Sequence, residues 1–109
     1  MIYLKLGIKP ISINEAFQGR RFKTKKCKKF EEDLSYLLPA KKCIPGKVQV
    51  RYKFYLKNHA LTDYDNMIKV MQDSLVKKGY IEDDRKIYRA MIDKIPSKEN
   101  FIEILIKEL

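Results

Sequence analysis

The stretch from Val48 to Leu56 restricts the fold more than any other part of the chain. Val48, Val50, Tyr52, Phe54 and Leu56 are apolar, and they alternate with Lys47, Gln49, Arg51, Lys53 and Lys57. A period of two puts the five apolar side chains on one face of a strand, and that face must be buried against another layer. Ile2, Leu4, Leu6 and Ile8 repeat the pattern until Pro10 stops it. Two more strands are predicted, from about Lys86 to Ile95 and over Phe101 to Ile106, parted by Pro96-Ser97. Helical spacing supplies the covering layer. Phe30, Leu34, Leu37 and Leu38 recur between Lys25 and Pro39, and Met67, Ile68, Val70, Met71, Leu75 and Val76 recur before Lys77-Lys78-Gly79. Ser12 to Thr24 has no clear period and reads as a long loop. The order β-α-β-α-β-β predicts an α/β chain of the α+β kind, a small mixed sheet with two main helices. With 109 residues there is room for one domain, residues 1–109.

Charge is distributed unevenly along this frame. The net charge is +10, yet residues 1–57 hold 15 Lys and Arg against 4 Asp and Glu, while residues 58–109 hold 9 against 10. Arg20, Arg21, Lys23, Lys25, Lys26, Lys28 and Lys29 place seven cations in ten positions. Such density attracts polyanions, and nucleic acid is the first partner to consider. The cluster has no Leu-rich or Trp-bearing face that would insert into a bilayer, and the competing reading is a solvated basic surface. Apolar runs are far shorter than the ~20 residues of a membrane span, and the first residues lack a signal-peptide core, so the expected location is the cytoplasm. Cys27 and Cys43 have no CxxC spacing and read as free thiols. Phe17 and Phe22 flank the first cations, where they can stack on or wedge open bases, or simply pin the loop.

Against this basic background, Asp63, Asp65, Asp83 and Asp84 form two acidic groups at the two ends of the second predicted helix. If the strand after that helix pairs beside the strand before it, the carboxylates can converge. Such a cluster repels itself without a cation, and hard oxygen donors favour Mg²⁺ or Mn²⁺ over zinc. The alternative is that Asp63 or Asp65 is an N-cap and Asp83-Asp84 a turn. An EF-hand is excluded, because the positions that should carry its later ligands and glycine are Met67, Ile68 and Ser74. The chain has no P-loop, no GxSxG and no usable Cys-His pair, which leaves metal-assisted chemistry on a polyanion.

The run Asp63-Tyr64-Asp65-Asn66-Met67-Ile68-Lys69, then Asp73-Ser74-Leu75, then Gly79-Tyr80-Ile81-Glu82-Asp83-Asp84 resembles the core motif of RusA-type Holliday-junction resolvases: DxDN, Lys, DxL and a paired DD. Pro10-Ile11-Ser12-Ile13-Asn14, Gly19-Arg20 and Lys23-Thr24 are similar to that family's N-terminal loop, so the resemblance spans Pro10 to Asp84. It implies a homodimeric, Mg²⁺-dependent endonuclease that resolves four-way DNA junctions in recombination and repair. Asp63, Asp65 and Asp84 then correspond to the essential acids and Lys69 to the essential lysine. Asn14 joins the DNA-binding candidates, and a nucleoid, phage or prophage setting follows from the family.

From the residues alone, Lys69 is either a phosphate-facing cation or an i,i+4 partner of Asp65 or Asp73. Asn66 is a cap or the holder of an acid, and Asp83 can replace Asp84 as ligand because strand neighbours face opposite ways. His59 reads as a partly exposed loop residue. Met67, Met71 and Leu75 read as core or dimer contact, with the edge of the last strand as the other dimer candidate. A non-catalytic nucleic-acid-binding protein and a metal-dependent ribonuclease are the competing functions.

Overall fold

In a computed structural model the chain forms β1 (Ile2–Leu6), α1 (Ile13–Ala16), β2 (Phe17–Gln18), β3 (Phe22–Lys23), α2 (Lys25–Leu37), β4 (Val48–Leu56), α3 (Ile68–Lys77), β5 (Ile87–Pro96) and β6 (Phe101–Glu108). The structure describes residues 1–19, 22–39, 43–61 and 63–109. Arg20 and Arg21, which the sequence placed in the basic cluster, lie outside the described residues.

The main sheet has the order β1-β6-β4-β5, with β4 and β5 parallel and the other pairs antiparallel. Core residues cross it in rows. Leu4, Ile104, Tyr52 and Ile92 are successive partners, and so are Ile2, Ile106, Val50 and Ala90. These rows join Leu34, Met71 and Leu75 of the helices in one buried cluster. The helix layer stops short of the β5 end, where Ala90 is exposed and Ile92 only half-buried. On the opposite face polar and aromatic groups cover one another. Arg51 binds Asp93 at 2.9 Å, Tyr55 stacks on Phe101 at 4.1 Å, and the Lys5 ammonium lies 5.2 Å from the Phe101 ring.

The expected elements form, with three differences. The stretch read as a loop contains a helical turn and a hairpin whose strands are two residues each. Ser12 accepts a hydrogen bond from the Glu15 amide and donates one to its carboxylate, a capping pair of the S-x-x-E type. That spacing was legible in the sequence. The second helix starts later than the acidic turn, because Tyr64–Met67 is a 3₁₀ turn that leads into α3. It ends as expected: Gly79, at φ +84, donates to Val76 and Tyr80 donates to Leu75, the paired bonds of a Schellman motif. Third, both places considered for dimer contact are occupied. β6 lies between β1 and β4, and Met67, Met71 and Leu75 are buried in the core. Among the described residues no helix is long and apolar enough to cross a membrane, and both cysteines are free.

Leu75 is fully buried and Leu61 is 86% exposed, so the two test the packing account. Leu75→Ala should cost about 2–5 kcal/mol in urea unfolding and Leu61→Ala less than about 0.5 kcal/mol. Equal costs would contradict the assigned core.

Candidate metal and nucleic-acid site

Asp63 sits in extended backbone immediately before the 3₁₀ turn, and the Asn66 amide closes that turn on the Asp63 carbonyl at 3.2 Å. The position is that of an N-cap, but the Asp63 carboxylate makes no capping hydrogen bond. Nor does any side chain cap the start of α3. Asp63 and Asp65 are exposed, and their carboxylates have no partner among the described residues. The half-buried Asn66 side chain likewise neither caps the turn nor holds an acid among those residues. Two acids are therefore left unused by the fold, although Asp63 stands at the cap position of the turn.

The second acidic group is partly used. Glu82 accepts a hydrogen bond from the Gly46 amide, and Ile81 bridges to Ile44, which ties this segment to the start of β4. Asp83 caps the turn Asp84–Lys86 by accepting from the Arg85 amide at 2.9 Å, and the Arg85 guanidinium adds contacts at 3.3 and 3.4 Å. The Arg85 amide first, then a hydrogen bond with Asp84, then the guanidinium hold the Asp83 carboxyl down to about 2. Asp83 is thus committed to the turn and Asp84 stands exposed as its first residue.

β5 does pair beside β4, as convergence of the acids required, but it pairs in parallel, with Val48 opposite Ile87 and Leu56 opposite Pro96. Asp84 therefore precedes β5 at the end where β4 begins, and the chain reaches Asp63 from the end where β4 finishes. α3, about 15 Å long at roughly 1.5 Å per residue, is part of the return between those two ends and stands between the two acidic groups in the chain. Accordingly, no three potential metal-ligating side chains gather within one chain among the described residues.

The acidic turn shares its end of the molecule with the basic elements, since Tyr64–Met67 packs against α1 and α1 packs against α2. Asn14 is exposed on α1. Thr24 caps α2 by accepting from the Cys27 amide. Three of the cluster's cations are paired within the fold: Lys23 with Glu31 at 2.9 Å, Lys26 with Glu15 at 3.1 Å and Lys29 with Asp33 at 3.5 Å. These acids offset the cost of placing cations at a helix N-terminus. Lys25 and Lys28 are exposed and have no ion pair among the described residues. Lys69 bonds Asp73 at 3.2 Å along α3, the i,i+4 pairing, and half of its side chain remains exposed. His59 is half-buried in the turn His59–Leu61.

Phe17 and Phe22 divide. Phe17 packs against the core cluster, whereas Phe22 is 74% exposed. Sequence reasoning missed the acids that neutralise the cluster, the Arg85 contact with Asp83, and Gln18, which is paired across the hairpin with Phe22. An i,i+4 search from Lys29 finds Asp33, but Lys26 and Glu15 are eleven positions apart and meet only through the fold.

A family model described as endodeoxyribonuclease RusA matches residues 12–107, which takes in both acidic groups, Lys69, the hairpin and the basic cluster. The chain belongs to the RusA endodeoxyribonuclease family. No curated protein matches it. Membership bears on two points that residue chemistry left open, for the RusA family is one of nucleases rather than passive binders, and of DNA rather than RNA.

The Asp83 pKa lies below its ordinary 3.8, so its contribution to the turn is complete above that value and is lost as pH falls towards about 2. Carboxyl-carbon NMR should give an Asp83 midpoint near 2, with the Arg85 amide shift moving in step. A midpoint at the ordinary value would show that the cap does not form.

Proposed function

We propose that this RusA-family protein is a homodimeric, Mg²⁺-dependent endodeoxyribonuclease that resolves four-way DNA junctions by paired cuts. The observation that carries the reading is the pair Asp63 and Asp65, exposed, unpartnered among the described residues and next to a basic surface in a chain of charge +10. The donors suit the cation, since carboxylate oxygens without thiolate or imidazole neighbours favour Mg²⁺, with Mn²⁺ an acceptable substitute. Asp63, Asp65 and Asp84 hold the ion, while Asp83 orients the turn that presents Asp84. When bound, the ion supplies Lewis-acid polarisation of the scissile phosphate and acidifies water. Lys69 exchanges Asp73 for a phosphate oxygen and offsets charge that builds there. Lys25 and Lys28 grip the backbone with Asn14, Lys23, Lys26 and Lys29, and Arg20 and Arg21 are further DNA-binding candidates from the sequence. The DNA of a nucleoid, phage or prophage is the setting for such an enzyme.

The separation of the two acidic groups gives the dimer a chemical purpose. β5 is an edge strand, with Tyr88 61% exposed, and Leu61 and Tyr64 are exposed in the turns that pack beside it. Antiparallel pairing of β5 with β5 of a second copy, about a two-fold axis, sets the start of one strand against the finish of the other. Asp84 of one copy then approaches Asp63 and Asp65 of the other, which yields two composite sites, one for each cut.

Asn variants of Asp63, Asp65 and Asp84 should bind a synthetic four-way junction and lose cleavage by orders of magnitude, measured beside a matched linear duplex and RNA duplex with and without Mg²⁺. A mixture of Asp65→Asn and Asp84→Asn chains should recover nicking, because each mixed dimer keeps one intact composite site. No recovery with dimers formed would refute the shared site, and normal cleavage by all three single variants would refute the metal assignment.

The grip on the phosphate backbone has its own test. Lys25→Ala with Lys28→Ala should reduce the slope of log K against log salt by about 0.9 for each phosphate no longer neutralised, on duplex and junction alike. An unchanged slope would assign both residues to a solvated face.

A further inference from the structure

The β2-β3 hairpin separates its two aromatic residues by the alternation of a strand. Phe17 is opposite Lys23 and Gln18 is opposite Phe22, so each pair shares a face. The face of Phe17 and Lys23 is turned to the protein: Phe17 meets the core and Lys23 bonds Glu31 of α2. Gln18 and Phe22 therefore share the outward face, and both are exposed. The hairpin's base is held firmly. The Thr24 amide donates to the Ala16 carbonyl at 2.8 Å, the Thr24 hydroxyl donates to the Glu15 carbonyl at 2.6 Å, and Lys26 bonds the Glu15 carboxylate. An aromatic side chain that gains nothing from the fold is thus carried on a fixed mount. Lys25 and Lys28, unpaired among the described residues, follow it, and the acidic turn lies just beyond α1.

We infer that Phe22 and Gln18 form a branch-point reader for DNA: Phe22 stacks on a base unstacked at the crossover, and the Gln18 amide hydrogen-bonds the base edge exposed there. This inference rests on the junction reading and adds to it the residues that distinguish a junction from a duplex. A fully stacked duplex offers Phe22 no open base face, while a four-way crossover interrupts stacking at its centre. The pair determines specificity and takes no part in the phosphate chemistry. Phe17 has the opposite role, as the anchor that sets the angle of the hairpin.

The test uses the full-length protein without divalent metal and a four-way junction with 2-aminopurine at the crossover, beside a duplex of the same sequence. Wild-type protein should raise the fluorescence of the crossover base and bind the junction more tightly than the duplex. Phe22→Ala should abolish the rise and weaken junction binding by roughly 5- to 150-fold, the span of one base-aromatic stack, with duplex binding within about twofold. Phe22→Trp should keep both properties, and Gln18→Ala should weaken junction binding while the fluorescence rise remains. Phe22 is exposed, so circular dichroism should show all variants folded. If the wild-type protein prefers the junction and Phe22→Ala matches it in affinity and fluorescence, the reader assignment is overturned. If the wild-type protein binds junction and duplex alike, the junction reading falls and this inference falls with it.

Discussion

The parallel pairing of β4 and β5 is the constraint on which the remaining structure depends. Parallel neighbours cannot be joined by a tight turn, so the chain must return along the length of the sheet, and α3 is that return. Its buried Met71 and Leu75, with Met67 of the preceding 3₁₀ turn, close over the rows that run through Tyr52 and Ile104. One acidic group precedes α3 and the other follows it, and among the described residues they do not gather into a set of three. A single topological feature thus builds the core and sets one acidic group at each end of the returning segment.

The economy of charge follows a related logic. Glu15, Glu31 and Asp33 neutralise cations of the basic cluster, Asp73 holds Lys69, and Asp83 caps a turn. Asp63 and Asp65 are left without such duties among the described residues, although Asp63 lies where the turn would accept a cap. A polar group in the best place to assist the fold that does not assist it is available to a ligand. The same reasoning separates Phe22 from Phe17, and Lys25 and Lys28 from their paired neighbours. Both groups occur around the basic hairpin and the acidic turn, on the same end of the molecule.

Much of the fold was legible because its signals are local. The alternation in Val48 to Leu56, the stripes that became α2 and α3, and the Lys77-Lys78-Gly79 stop each act over a few residues. The stretch that forms α1 and a hairpin reads as a loop because its elements are only four and two residues long. Those lengths are too short to express a period, although the Ser12 and Glu15 spacing carried the cap. The DxDN and DD residues and the family they resemble were legible as well, because identity and spacing along the chain define such a motif.

The sequence by itself determined the strand and helix faces, the asymmetric charge and the two acidic groups, since side-chain chemistry and neighbour spacing set all of these. Tertiary structure decided the order β1-β6-β4-β5, the direction of β5 and hence the separation of the acids, as well as which cations are already paired and which phenylalanine faces outward. The physical reason is range. Periodicity reports which side of an element avoids water, but strand direction and the meeting of Lys26 with Glu15 depend on contacts between distant segments, whose energies appear only when the whole core closes.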